Sequence, residues 1–170
     1  MQENCRKPWR NYFRHRCFKS RFNVHSHYSS MRHMKRHSVF IVDDDQDDRE
    51  SIRDAFLQNK HEQDYKFMVN GEQLIAYLNE EGNSLDSPII LLDLNMPGKD
   101  GKQVIREIKG NTGLRPIPII VMTTSSSEKD KVASYELGAN CFVTKPDSYK
   151  ELVNITDSIA KLWFVEAKAV

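Results

Sequence analysis

The sequence predicts an α/β fold in which helices cover both faces of a doubly wound parallel sheet. Five short apolar runs alternate with five stretches in which apolar residues recur at helical spacing. The runs 89–92 and 119–122 contain only apolar residues, which is typical of strands buried on both faces. Short strands joined by helical crossovers pair in parallel with right-handed connections, so the alternation leads to one layered domain.

The first half of the domain follows this alternation. The apolar run 39–42 stops at an acidic triplet and predicts the first strand, whereas residues 65–69 are less apolar, as expected of an edge strand. Helices are predicted at about 46–59 and 71–81, because apolar residues recur there with helical periodicity. These residues are Ile52, Ala55 and Phe56 in the first helix and Leu74, Ile75 and Leu78 in the second.

The second half begins with the strand 89–92, around which the chain is organised. This strand ends on Asp93, because Pro97 cannot continue a strand ladder. Asp100 is placed to cap a third helix at about 100–109. The inward residues of that helix are Val104, Ile105 and Ile108.

The remaining predicted elements are a strand at 119–122, a fourth helix to about residue 137, a strand at 140–144 and a helix at about 148–167. Ser127 and Asp130 resemble a capping pair at the start of the fourth helix. The last helix is predicted from five apolar residues at helical spacing. They are Leu152, Ile155, Ile159, Leu162 and Trp163.

Charge divides the chain into two parts. The formal net charge is +1, yet residues 1–37 carry ten of the 25 basic residues and one of the 24 acidic residues. The other 15 basic and 23 acidic residues give the rest of the chain a net charge of −8. We therefore expect a basic, histidine-rich leader at 1–37 and an acidic domain at 38–168.

The leader is open to several interpretations. Aromatic residues among its Arg and Lys side chains suit a nucleic-acid-binding arm, and an organelle-targeting peptide is another alternative. Cys17, His25 and His27 offer metal ligands, although their spacing matches no tetrahedral zinc pattern. The absence of sustained periodicity favours a disordered segment, or a true start codon at Met31 or Met34.

Cysteine usage and hydropathy bear on location. The three cysteines show no paired spacing, which fits a reducing compartment. The sequence contains no apolar run near the roughly 18 residues that cross a membrane. We therefore expect a cytoplasmic protein without a membrane segment.

Polar residues at the carboxyl ends of the predicted strands carry the chemistry. They are Asp43 and Asp44 after the first strand, Asp93 after the third, Thr123 after the fourth and Lys145 after the fifth. In a parallel sheet these strand ends share one edge. Three carboxylates in one crevice repel one another, and a hard divalent cation such as Mg2+ relieves that repulsion. A hydroxyl and an ammonium suit a tetrahedral anion, so the set predicts phosphoryl transfer to a carboxylate.

Four segments, in this order and spacing, resemble the receiver domain of two-component response regulators. They are VFIVDDDQDDRESI, LLDLNMPGKDG, PIIVMTTSSS and LGANCFVTKP, and the resemblance covers residues 38 to about 165. It implies a flavodoxin-like sheet with the strand order 2-1-3-4-5. It also implies that Asp93 accepts a phosphoryl group from the phosphohistidine of a sensor histidine kinase or a phosphotransfer protein.

The resemblance gives roles to the residues around Asp93. The expected cofactor is Mg2+, and its ligands match Asp43, Asp44, Asp93 and the backbone carbonyl of Asn95. Thr123 matches the hydroxyl that moves toward the phosphoryl group, and Lys145 matches its ion-pair partner. The family also implies a cis peptide before Pro146, which would place the lysine.

In this family the output is a shift between two arrangements of the fourth helix, fifth strand and fifth helix. Phe142 occupies the position of the switch aromatic, or it serves only core packing. The chain most resembles stand-alone receivers of the cyanobacterial phytochrome type. This subgroup implies a homodimer through the output face. Trp163 and Phe164 are candidates for that interface, and the alternative for Trp163 is that it completes the core.

Two other functions compete with a signalling switch that does not turn over substrate. A haloacid-dehalogenase-type phosphatase or mutase also uses a strand-end Asp nucleophile and magnesium. That class usually has a second Asp two positions further on, where this chain has Asn95. A nucleic-acid-binding protein acting through the leader is the other alternative, and we expect neither nucleic acid nor membrane as a partner.

Overall fold

The computed structural model describes residues 36–81 and 85–164 of the chain. Within these residues, five strands alternate with five helices. In chain order they are β1 (Ser38–Val42), α1 (Gln46–Gln58), β2 (Asp64–Met68), α2 (Gly71–Glu81), β3 (Ile89–Leu92), α3 (Gly101–Gly110), β4 (Ile119–Thr123), α4 (Glu128–Glu136), β5 (Cys141–Thr144) and α5 (Tyr149–Trp163). The predicted order of elements is confirmed.

The strands form one parallel sheet in the order β2-β1-β3-β4-β5, as the resemblance implied. Val42 pairs with Leu92, Leu92 pairs with Val121, and Thr123 pairs with Thr144. The residues that follow these pairs therefore meet at one edge of the sheet. The strand order changes direction between β1 and β3, which is where open α/β sheets form a crevice.

Apolar side chains pack on both faces of the sheet, because alternate residues of a strand point to opposite sides. One face packs against α2 and α3 through Phe40, Val42, Ile90, Leu92, Ile119 and Val121. The other face packs against α1 and α5 through Val39, Ile41, Leu91 and Ile120. Since both faces of the central strands are buried, polar chemistry is confined to the strand ends.

The ends of the elements differ from the predictions by a few residues. β2 begins and ends one residue earlier than the predicted 65–69, and β4 extends to Thr123. α3 begins at Gly101, because Asp100 is its N-cap and forms a capping box with Gln103. α5 ends at Trp163, before the predicted 167, because Phe164 is its C-cap. Residues 165–170 lie outside the described part.

Phe164, the C-cap of α5, packs against aromatic rings of its own domain. Its ring centroid lies 5.2 Å from that of His37, 5.6 Å from that of Phe56 and 6.0 Å from that of His61. Trp163 is half-buried and packs against the same core cluster as Phe56. Both residues thus contact the core of their own domain, and a role for them at an interface stays a prediction.

No helix among the described residues is long and apolar enough to cross a membrane. The leader was predicted at 1–37, and residues 1–35 of it lie outside the described residues.

Candidate functional site

Asp93 lies directly after β3 and is 6% exposed. Its backbone N–H donates to the carbonyl of Val42 at 2.9 Å, so Asp93 is still hydrogen-bonded to the neighbouring strand β1. α3 begins in close contact with the same backbone. A Cβ on Gly101 would lie 2.5 Å from the Asp93 carbonyl oxygen and 2.7 Å from Cα of Leu94. The sheet and α3 together therefore fix the Asp93 carboxylate at the floor of the crevice.

Asp43, Asp44 and Asp93 form an acidic cluster at this edge of the sheet. One carboxylate oxygen from each residue lies within 4.8 Å of the other two. Asp43 and Asp93 are buried and Asp44 is exposed, so the cluster opens to solvent on one side. Asp43 is held by its own backbone N–H, which donates to Met68 at 3.1 Å, and by the N–H of Asp45, which donates to its carboxylate at 3.0 Å.

Lys145 brings a buried ammonium to the acidic cluster. Its backbone N–H donates to the carbonyl of Thr123 at 2.7 Å, which anchors the turn that follows β5. Nζ donates to Asp43, to Asp48 at 2.9 Å and to Asp93 at 3.1 Å. The three carboxylates and the lysine side chain are each 7% exposed or less. One cation is thus shared among three buried anions.

The electrostatics of the crevice follow from this excess of carboxylates. Burial raises the pKa of Asp43 to about 6, with a further rise from Asp93, and the Lys145 ammonium offsets only part of the shift. Burial acts to lower the pKa of Lys145, but Asp43, Asp93 and Asp48 outweigh it and hold that pKa above its usual range. Lys145 therefore stays protonated, and its single positive charge does not neutralise all of the carboxylates around it.

Thr123 is fully buried at the end of β4 and belongs to a hydrogen-bond chain. Its Oγ1 accepts from the side-chain amide of Asn95 at 3.4 Å and from the N–H of Ser125 at 3.3 Å. The Ser125 hydroxyl donates to Asp130 at 2.5 Å, and Lys102 donates to the other oxygen of that carboxylate at 2.6 Å. These hydrogen bonds lower the pKa of Asp130, that from Lys102 being the larger cause. This series of hydrogen bonds connects the crevice to the first turn of α4 and to α3.

The structure brings together four of the residues predicted for the site, namely Asp43, Asp44, Asp93 and Lys145. Thr123 reaches the group through Asn95, whose backbone N–H also donates to the Asp93 carboxylate at 3.3 Å. Phe142 lies elsewhere, half-buried in β5 and packed against the core on the α2 and α3 side. The roles expected of these residues stay predictions.

Two residues near the cluster were not predicted from the sequence. Asp48 is 5% exposed and bonds Lys145, and Arg49 donates from Nη1 to the carbonyl of Asp43. An acidic first turn ordinarily reflects the helix dipole, so composition alone does not separate Asp48 from its exposed neighbour Asp47. Asp44 lies before the N-cap Asp45, so helical spacing from Asp44 does not identify Asp48 either, and its partner Lys145 lies 97 residues further along the chain.

One expectation about the lysine is wrong. There is no cis peptide bond among the described residues, so the bond before Pro146 is trans. A trans bond is the ordinary state of most X–Pro peptides. The three carboxylates that bond Nζ hold Lys145 in this structure.

The donor set of the acidic cluster fits a hard divalent cation. Its three carboxylates converge on one point, and such cations take oxygen ligands and often retain several waters. The exposed side of the cluster at Asp44 leaves room for water and for further oxygen ligands. The Lys145 ammonium neutralises only part of the negative charge of Asp43, Asp44 and Asp93, so a bound cation would relieve the remaining repulsion.

The chain matches a known family over most of the described residues. The family model described as the response regulator receiver domain matches residues 39–157. The chain is 36% identical over 128 residues to the response regulator Rcp1 of Synechocystis sp., which covers 74% of this chain and 87% of that protein.

Solved structures agree with the sequence match. The phosphorylated cyanobacterial phytochrome response regulator RcpA superposes with a TM-score of 0.70 at 34% identity, over 79% of this chain and 97% of that one. The Mn(2+)-bound form of Rcp1 gives a TM-score of 0.68 at 33% identity, over 79% and 97% of the two chains. These similarities favour the receiver resemblance over the haloacid-dehalogenase alternative.

Proposed function

Because this chain belongs to the response regulator receiver domain family, we propose that Asp93 accepts a phosphoryl group from a phosphohistidine of a partner protein. A carboxylate oxygen of Asp93 attacks the phosphorus atom, and the P–N bond to the imidazole breaks. The imidazole leaves with the electron pair of that bond and takes up a proton. The product is an acyl phosphate on Asp93.

The observation that carries this proposal is the buried Asp93 carboxylate beside the Lys145 ammonium. The two are 3.1 Å apart at the carboxyl end of β3, in a crevice that opens to solvent at Asp44. A fixed cation beside the acceptor stabilises the negative charge that the phosphoryl oxygens carry in the transition state. The Thr123 hydroxyl, linked to this site through Asn95, is proposed to donate to a phosphoryl oxygen.

We propose Mg2+ as the resident cation. Receiver domains bind divalent metal, and the relative Rcp1 has been solved in a Mn(2+)-bound form. Asp43, Asp44 and Asp93 would hold the cation, with the backbone carbonyl of Asn95 as a further ligand. When bound, the cation supplies charge neutralisation for the carboxylates and the phosphoryl oxygens.

The proposed partner is a sensor histidine kinase or a phosphotransfer protein, as is general for receiver domains. The similarity to RcpA and Rcp1 supports a place in a phytochrome-type signalling system. Rcp1 is 87% covered by this chain, which supports a regulator of single-domain type. We also propose that it is not a turnover enzyme, because receiver domains generally signal rather than catalyse.

The proposed output face consists of α4, β5 and α5. Val132 and Tyr135 are about half exposed on α4, and Phe142 is the proposed switch aromatic on β5. The hydrogen-bond chain from Thr123 to Asp130 supports communication between the site and this face. The exposed apolar side chains of α4 support a homodimer through the same face.

Two further proposals concern organisation and location. The family match begins at residue 39, which supports a leader at 1–37 separate from a receiver domain at 38–168. Cys141 is a free thiol, which supports a reducing compartment such as the cytoplasm.

The experiment that tests the function is phosphorylation with acetyl phosphate and Mg2+. We expect wild type to gain one phosphoryl group, detected by intact mass and mapped to Asp93 after borohydride reduction of the acyl phosphate. Asp93→Asn should take up none, because an amide is a far poorer nucleophile than a carboxylate. Asp147→Asn, an exposed carboxylate near Lys145, is the matched control and should label like wild type. Labelling of Asp93→Asn at the wild-type level would refute the assignment.

A further inference from the structure

The ammonium of Lys145 has no N–H group to spare. A lysine ammonium carries three donors, and each of the three carboxylates takes one of them. The lysine side chain is 7% exposed, so solvent has little access to it. Any new acceptor, such as a phosphoryl oxygen, must therefore displace one of Asp43, Asp48 and Asp93.

The three carboxylates on Lys145 are not equivalent. Asp43 and Asp93 also belong to the acidic cluster that fits a divalent cation, whereas Asp48 does not. Asp48 comes from the first turn of α1 and is 5% exposed, with its carboxylate 2.9 Å from Nζ. A bound cation and a phosphoryl group would engage Asp43 and Asp93, whereas Asp48 would stay hydrogen-bonded to Lys145.

A helix-dipole role alone does not explain the burial of Asp48. Carboxylates in the first turn of a helix are favourable when exposed, as Asp47 is at the preceding position. Burying a carboxylate is costly unless it is paired. Because Asp48 is buried and paired with Lys145, its place in the structure is tied to that cation.

From this geometry we propose that Asp48 is a positioning residue, which holds the Lys145 ammonium in place while Asp43 and Asp93 are engaged by a cation and a phosphoryl group. Lysine has a long flexible stem, so it keeps a defined position only while an acceptor holds its ammonium. With Asp48 as the constant acceptor, the N–H that bonds Asp93 at rest turns to a phosphoryl oxygen. The inference rests on the proposed phosphoryl transfer to Asp93.

The reaction in the test uses acetyl phosphate as the phosphodonor. An Asp93 oxygen bonds to phosphorus, the P–O bond to the acetyl group breaks, and acetate leaves with its electron pair. The rate is measured by intact mass at saturating Mg2+ and saturating donor, which separates the limiting rate from the affinity for either. Circular dichroism and thermal melting establish that each variant is folded.

Asp48→Ala removes the acceptor, and we expect the limiting rate to fall about tenfold, since losing one fixed donor to transition-state charge costs about 100-fold or more. Asp48→Asn keeps a side-chain oxygen that accepts from Nζ, so its loss should be smaller, about threefold. Glu50→Gln removes a charge from the same helix at a residue that bonds Gln46, and it should match wild type. If Asp48→Ala does not fold, Asp48→Asn decides the outcome.

A double mutant tests whether Asp48 acts through the lysine. In a Lys145→Met background, adding Asp48→Ala should not slow the limiting rate further, because the group that Asp48 holds is gone. An equal loss in both backgrounds would overturn the inference, as would a wild-type limiting rate in Asp48→Ala or, failing that variant, in Asp48→Asn. If wild type itself takes no phosphoryl group on Asp93, the proposed function fails instead, so the two failures are distinguishable.

Discussion

At the scale of single residues, the crevice depends on backbone contact as well as on charge. Gly101 is the first residue of α3, and its missing side chain lets the helix start against the Asp93 backbone. An added Cβ would lie 2.5 Å from the Asp93 carbonyl oxygen, well inside van der Waals contact. The neighbouring atoms are backbone or belong to Leu94, so they cannot swing aside freely.

Gly101→Ala should therefore destabilise the domain and displace Asp93. We expect the free energy of unfolding to fall by about 2 kcal/mol, as for other overpacked sites, and phosphorylation of Asp93 to slow. Urea unfolding and the acetyl phosphate assay measure the two effects.

The control is Gly110→Ala at the other end of α3, where a Cβ meets nothing within 4 Å. That variant should be stabilised by about 0.5 kcal/mol. Equal effects of the two variants would contradict the close-contact explanation.

The residues around the site show what the sequence predicts well. Asp43, Asp93 and Lys145 are predictable because each directly follows a predicted strand, and the parallel sheet then requires a shared edge. Asp48 was not predicted because acidic residues in a first helical turn are common on exposed surfaces. Its burial depends on how α1 is rotated against Lys145, which is a tertiary property that local spacing does not encode.

At the scale of elements, the helices differ in how firmly they are held. α1 and α5 pack through several buried apolar residues, among them Phe56 and Ile159. In α4 the one fully buried side chain is that of Ser134, which donates to the carbonyl of Asp130, while Val132 and Tyr135 are about half exposed. α4 is therefore held mainly by polar contacts at its first turn.

We expect the backbone amides of α4 to exchange with deuterium faster than those of α1 and α5. Opening of a helix with few buried apolar contacts costs less free energy than opening of a well-packed one. Hydrogen–deuterium exchange with mass spectrometry on the unphosphorylated protein measures the difference. The comparison with α1 is internal to the same sample and serves as the control. Protection of α4 equal to that of α1 would show that the polar contacts at its first turn suffice.

Boundaries of elements were less predictable than their order. The alternation of buried runs and helical patterns determines the order, because each run must be covered on both faces. β2 is an edge strand with half-buried residues, so the sequence shows no sharp change from polar to apolar residues that would locate its ends to one residue. The early end of α5 depends on the ring contacts of Phe164 with His37 and Phe56, which are distant in sequence.

At the scale of the whole molecule, excess negative charge is concentrated at one edge of the sheet. We expect Mg2+ to raise the melting temperature, because the folded state gathers three carboxylates that the unfolded chain keeps apart. At a free concentration about 100 times Kd, the free energy of unfolding should rise by about 2.7 kcal/mol. Thermal melting with and without Mg2+ at constant ionic strength measures the shift.

Asp44→Asn and Asp147→Asn are the matched variants for this measurement. Both residues are exposed, so neither replacement leaves a buried group unpaired. The first removes a ligand of the acidic cluster and should lose most of the Mg2+-dependent shift. The second should keep it. An undiminished shift in Asp44→Asn would place the cation elsewhere.

The stacking of His37 on Phe164 has a practical consequence. The two rings, 5.2 Å apart, lie at the edge of the sheet where β1 begins. The five residues of β1 separate that edge from the crevice by about 16 Å. A fluorescent protein or an affinity label attached on either side of residues 37–164 would thus be joined to the surface remote from Asp93. Engineered fusions joined at these two points should therefore leave the crevice at Asp93 open to a phosphodonor.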